Sequence, residues 1–438
     1  MNTTEYKKYH ESFMMNNHGS TAIHAFLYLL FTVQCSLFCA LSTKRSELLQ
    51  YIFEYLFIVL PVITAFTILS DYIYLLNCIL TTMLVMKILQ NYSKLQIRKI
   101  FDTKNYFRTS KIHSISLMRG LTYLITVFCI LAVDFRSFPR YLAKTEKYGY
   151  SLMDTGVGLF VLMSGLVHKD LRSQSLGSIL KGNVKFISVL ICLGVARFIS
   201  VKQLDYQEHV TEYGVHWNFF FTLAVCKSIS TILLYYGNNT LVTSFVLLGI
   251  HESILYLGLE NWVFGDTPRN NFVNANREGI SSSLGYVSLY LFAAYIKSEI
   301  INNIVSRYKV QMKLLFLSLI MSLLSVTLNY YRPTSRTLAN AGYCLYLEAI
   351  LVFVMSIMYF LEVLFQNKDL QFEVPLIISA ANGNGLIYFL VANLLTGAIN
   401  LSMRTLFIPS FETFLIQNMY MVLTLLLVVC LKKKGITV

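Results

Sequence analysis

Apolar runs of about 20 residues follow one another from near the N-terminus almost to the last residue, and no other feature constrains the fold as strongly. A helix rising about 1.5 Å per residue crosses the roughly 30 Å hydrocarbon core of a bilayer in that length. Inside lipid every backbone N–H and C=O must be satisfied within the protein, so spans this long and this continuously apolar read as helices. Thirteen runs qualify, with approximate limits 21–42, 48–69, 72–90, 114–133, 151–167, 184–201, 216–235, 240–259, 280–299, 312–330, 341–365, 376–402 and 411–431. Only Ser70 and Asp71 separate the second run from the third. The expected fold is all-α: a polytopic integral membrane protein, with about 13 transmembrane helices in one bundle and short loops. It forms a single domain over 1–438, opening with a polar segment, 1–20, and closing with a basic tail, 432–438.

Composition serves to exclude. Charged residues make up 13% of the chain and apolar ones 55%, whereas a soluble domain carries about a quarter charged residues. A large soluble domain has no room here. The net charge of +13 would suggest nucleic acid in a soluble protein. In a membrane chain it reads as cationic loops that orient helices, and no nucleic-acid partner is expected. The eight cysteines all fall inside apolar runs without metal-type spacing. They read as small core residues, and no metal site is expected.

Lys and Arg concentrate in alternate loops. One side takes the cluster from Lys94 to Lys111, then Lys169, Arg172, Lys181 and Lys185, and finally Lys432 to Lys434; the other takes fewer. The positive-inside rule makes the richer side cytosolic, with the N-terminus lumenal and the C-terminus cytosolic. The opposite loops, 134–144, 204–218 and 270–279, are dense in His, Asp, Glu, Asn and Arg. Asp134 ends the fourth run and Asp154 starts the fifth, while Arg197, Lys227, His251, Glu252 and Glu348 lie within others. Such groups are costly at membrane depth and face partners or a cavity. The twelfth run begins Asn382-Gly383-Asn384-Gly385, which predicts a broken helix entry. Asn393 and Asn400, seven residues apart, share a helix face. A nucleophile elbow, a zinc-protease helix, a phosphate-binding loop and a dinucleotide fingerprint are all missing.

The segments Leu131–Arg140, Ser151–Gly158, Asp205–Phe220, Asn274–Gly279 and Asn382–Met403 resemble those of the GPI inositol-acyltransferases of the endoplasmic reticulum, the PIG-W type, most closely the fungal members. The resemblance runs from about residue 15 to the C-terminus. It implies an acyl-CoA-dependent O-acyltransferase of the endoplasmic reticulum membrane. Such an enzyme moves a fatty acyl group, usually palmitoyl, from acyl-CoA to the inositol 2-hydroxyl of glucosaminyl-phosphatidylinositol in GPI-anchor biosynthesis. Palmitoyl-CoA is then a co-substrate rather than a bound cofactor, membrane lipids surround the protein, and pyridine-type antifungal inhibitors are ligands. The family's catalytic pair, an Asp ending the fourth span and a Lys ten residues later, maps onto Asp134 as general base and Lys144 as electrostatic partner. Glu208, His209 and His216 form a rival constellation, since His titrates near neutral pH. Substrate contacts are expected at Glu208, His209, His216, Trp217, Asn218, Asn276, Arg277, Asn382 and Asn384. Arg197 and Lys202 are candidates for CoA phosphates. Two other classes stay open: a lipid transporter or flippase, and a different membrane acyltransferase acting on a lumenal sugar.

Overall fold

A computed structural model describes residues 3–42, 45–91, 112–168, 175–203, 210–237, 239–302, 307–365 and 372–437. In chain order the helices are α1 (Thr3–Met14), α2 (Ala22–Ala40), α3 (Glu47–Phe66), α4 (Ser70–Gln90), α5 (His113–Ala132), α6 (Thr155–Leu166) and α7 (Leu176–Gln203). They continue as α8 (Phe219–Tyr236), α9 (Thr240–Phe264), α10 (Arg277–Asn302), α11 (Arg307–Tyr331), α12 (Ala341–Leu364), α13 (Leu376–Gly383), α14 (Gly385–Ser402) and α15 (Ser410–Lys433). Twelve of the described helices are long and apolar enough to cross a membrane. No strand is found among the described residues, so the expected all-α polytopic fold is what the chain forms. Runs two and three are separate helices that turn back at residues 67–69.

The fifth run departs from the plain hydropathy reading. Its helix α6 is a short apolar element of 12 residues, about 18 Å long. The missing length is taken up by the irregular segment 133–154, which is packed inside the protein: Phe135, Phe138, Leu142, Ala143, Ser151 and Leu152 are all buried. Non-helical backbone is tolerated at such depth because protein surrounds it. α6 lies tightly on α10, where a Cβ on Gly165 would sit 2.4 Å from the Tyr290 carbonyl oxygen. Glycine is required there by the closeness of the two backbones.

The twelfth run is broken as its two Asn-Gly pairs predict, with α13 and α14 meeting at Asn384. Helix starts are satisfied by carboxylates from neighbouring helices. Glu362 accepts from the His113 and Ser114 amides, Glu252 from the Ala341 amide and Glu54 from the Ile377 amide. Each supplies an acceptor to orphan N–H groups and an anion to the positive end of the helix dipole. The most enclosed span is α12, whose residues are nearly all buried against α2, α6, α10 and α11.

Candidate active site

The polar loops that the sequence singles out meet at one end of the bundle. Asp134 follows the last turn of α5 and is buried. Its two oxygens face different elements. The Asn400 amide, from the end of α14, donates to Oδ2 at 2.7 Å, and His10 of α1 lies 3.6 Å from Oδ1. Burial pushes the carboxyl up to about 6, against the pull of Asn400, Arg140 and Lys144. A carboxyl in that range is a competent base near neutral pH.

Lys144 does not pair with Asp134 directly. Its ammonium sits 2.5 Å from Glu212 in the short turn Val210–Tyr213. Glu212 also lies 3.9 Å from Arg336, which in turn bonds Asp154 at 2.9 Å. The result is a chain of alternating charge, Lys144–Glu212–Arg336–Asp154, that ties segments 144–154, 210–213 and 332–340 together. Burial would raise the Glu212 carboxyl, but Lys144 and Arg336 outweigh it and hold it down at about 2. Backbone contacts lock the same frame: Thr145 donates to Asp154 through both its amide and its hydroxyl, Ser335 Oγ donates to the Lys147 carbonyl, and the Gly149 amide to the Thr334 carbonyl.

The other predicted site residues fall into three groups. His216, Trp217, Asn218, Asn276 and Arg277 gather at this same end. Most of their polar atoms serve local structure. Asn276 accepts from the His216 and Trp217 amides, Asn218 caps α8 and donates to the Gly194 carbonyl, and Arg277 donates to the Thr267 and Gly265 carbonyls. The His216 and Trp217 rings border an apolar groove of about 620 Å³ between α7 and α8, walled by Ile187, Ile191, Phe198 and Phe221. Arg197, on the next position of α7, is exposed and close enough to Glu212 to pull its carboxyl down. Arg197 thus brings the α7 side of the groove within electrostatic reach of Glu212. Asn382 and Asn384 form the second group, at the far end. Asn384 donates to the Ile436 carbonyl near the C-terminus, and sixteen residues of helix, about 24 Å, separate it from Asn400. The structure does not bring them to Asp134. Glu208 and His209 lie outside the described residues, as does the side chain of Lys202 in the last turn of α7.

Three contributors escape sequence reasoning. His10 sits in a polar N-terminal stretch with no span or motif to flag it. Arg336 reads only as one more loop cation, yet it is buried. Gln417 is one of several polar residues in the last apolar run, beside Glu412, Asn418 and Tyr420, and nothing in the run singles it out. It is buried on α15, one turn nearer this end than Tyr420, and neither of its amide atoms has a hydrogen-bond partner among the described residues. Ser137 Oγ and Arg140 Nη1 are buried and unbonded in the same way.

The GWT1 family model matches residues 6–431. This chain belongs to the GWT1 family. Among its relatives is the phosphatidylinositol-glycan biosynthesis class W protein of Dictyostelium discoideum, 30% identical over 99% of both chains. The GPI-anchored wall transfer protein 1 of Schizosaccharomyces pombe is 31% identical over 95% of both. The glucosaminyl-phosphatidylinositol-acyltransferase PIGW of Bos taurus is 29% identical over 99% of both. The GWT1 match begins inside α1, so the helix that carries His10 belongs to the family's common part.

Proposed function

We propose that this protein is an acyltransferase of GPI-anchor biosynthesis. It moves a fatty acyl group, palmitoyl in the simplest case, from acyl-CoA to the inositol 2-hydroxyl of glucosaminyl-phosphatidylinositol at the endoplasmic reticulum membrane. Membership of the GWT1 family and the names of its relatives support the reaction class. The observation that carries the residue assignment is the buried Asp134 carboxylate, raised toward neutral pH and backed by Asn400, with the Lys144 ammonium near enough to act on it electrostatically.

In this reading the Asp134 carboxylate takes the proton of the inositol hydroxyl as its oxygen attacks the thioester carbonyl. The carbonyl π electrons move onto oxygen, and the Lys144 ammonium stabilises that oxyanion. Collapse re-forms the carbonyl, breaks the C–S bond and expels CoA thiolate, which takes the proton held by Asp134. No acyl-enzyme is needed. Ser137 Oγ, Arg140 Nη1 and the Gln417 amide are buried polar groups without described partners, and this supports a polyhydroxylated headgroup beside Asp134. The apolar groove between α7 and α8, beside which Arg197 reaches Glu212 electrostatically, supports an acyl chain lying there with its thioester toward Lys144. The site-bearing end is then the lumenal one, with the Lys432–Lys434 tail in the cytosol. Purified protein given both substrates should form acyl-inositol product, and Asp134→Asn should not. Vectorial lipid movement without product would return the reading to a transporter.

A further inference from the structure

The polar N-terminal segment does not read as part of the site in the sequence, yet its helix α1 is built into it. Tyr6 shares a hydrogen bond with Thr405 Oγ1 at 3.3 Å and accepts from the Leu406 amide at 3.1 Å. The Tyr9 ring stacks on Phe407 at 5.7 Å. On the other flank the Arg140 guanidinium lies over the Phe13 ring at 4.9 Å and donates to the Met14 carbonyl at 3.4 Å. Just beyond α1, Asn17 donates to the carbonyls of Ala143 and Lys144 at 2.8 and 3.0 Å. The helix is therefore clamped between the segment that bears Asp134 and Lys144 and the turn that follows α14. This clamp holds the buried His10 imidazole, Nε2 foremost, 3.6 Å from Asp134 Oδ1.

We propose that His10 is a positioning residue for the reaction: it fixes the aim and the ionised form of Asp134, so that α1 is part of the catalytic apparatus. The proposal rests on the reading of Asp134 as general base. The carboxylate is held from two sides, by Asn400 on Oδ2 and His10 on Oδ1. Asn400 fixes orientation without charge. His10, protonated, adds a cation at close range, which favours the charged form of a carboxyl buried where burial alone opposes it. Among the described residues, the other charged or titratable groups that act on Asp134 include Arg140 and Lys144 from its own segment and the Tyr420 hydroxyl from α15.

The test uses full-length protein in lipid nanodiscs with palmitoyl-CoA and glucosaminyl-phosphatidylinositol. His10→Gln keeps an N–H donor of similar reach and removes the charge; His10→Lys restores a charge. The acid limb of kcat should move up by about one pH unit in His10→Gln and return in His10→Lys, with KM for both substrates within about twofold of wild type. Tyr6→Leu, which loosens α1 elsewhere, reports what a merely structural loss looks like. A His10→Gln enzyme whose turnover falls with the acid limb unmoved, as a loosened helix would give, overturns the proposal. So does one with kcat and limb both unchanged. Retained turnover in Asp134→Asn defeats the base assignment itself, and that outcome is distinct from either.

Discussion

Acidification gives the sharpest prediction. Asp134 is the proposed base, and its carboxyl stands at about 6 in place of an ordinary 3.8 because it is buried. Only the ionised form accepts the hydroxyl proton. With a midpoint near 6, roughly nine-tenths of the enzyme is competent at pH 7, half at pH 6 and a tenth at pH 5, by simple titration. Initial rates should therefore fall about tenfold between pH 7 and pH 5. An exposed carboxyl of ordinary pKa would stay more than nine-tenths ionised over that whole range and give almost no change. The assay is the initial rate of acyl-inositol formation, read by mass, with both substrates saturating. Samples returned to pH 7 would check that acid exposure leaves the enzyme intact. A rate that stays flat down to pH 5 would refute the reasoning that burial tunes this base. A limb well above pH 7 would point instead to a different group.

Four further outcomes follow from the same geometry. Asp134→Asn should lower turnover by about 100- to 10,000-fold yet leave the protein no less stable. The folded chain binds this proton more tightly than the unfolded one, so wild type loses about 2 kcal/mol as pH rises from 4 to 6, and the variant does not; thermal unfolding at pH 4 and pH 7 checks both. Glu212→Gln releases Lys144 from its 2.5 Å partner while Arg336 keeps Asp154, and should cut kcat about tenfold through misplacement of the ammonium. In wild type Glu212 stabilises the fold above its ordinary pKa of 4.5 and loses that only as pH falls toward 2, so between pH 5 and pH 8 it should add no slope to the unfolding profile. Gly165→Leu forces a side chain into the Tyr290 backbone and should destabilise by about 1–3 kcal/mol or more, seen as lost yield of monodisperse protein. Ser228→Trp, which fills the groove between α7 and α8, should slow transfer from palmitoyl-CoA far more than from a short-chain acyl-CoA, as competition between the two donors would show.

Much of the fold was legible because hydropathy and helix length are local properties. Runs two and three do separate, although the chain turns at Thr67 to Leu69 rather than at the Ser70–Asp71 break, and the two Asn-Gly pairs do break the twelfth run. The fifth run misled for a physical reason. Apolar residues count toward a span whether lipid or protein surrounds them, and here the residues before Thr155 belong to the buried segment tied down by Asp154, Thr145 and Arg336. The site was legible in its segments and less so in its pairings. Leu131–Arg140, the residues around His216 and those around Arg277 do share one end of the bundle. Lys144, however, finds Glu212, and Asp134 finds Asn400 and His10. Those partners come from parts of the chain far apart in sequence, where no spacing rule links them. Asn382 and Asn384 look like site residues by chemistry alone, and only the length of α14 shows that they sit at the opposite end.

The most direct measurement takes purified full-length protein in lipid with palmitoyl-CoA and glucosaminyl-phosphatidylinositol, and follows palmitoyl-inositol product by mass for wild type and Asp134→Asn side by side. The account predicts product from the wild type and essentially none from a variant that is equally well folded. Equal product from both would contradict Asp134 as the base, and no product from a folded wild type, with donors of several chain lengths offered, would contradict the acyltransferase itself.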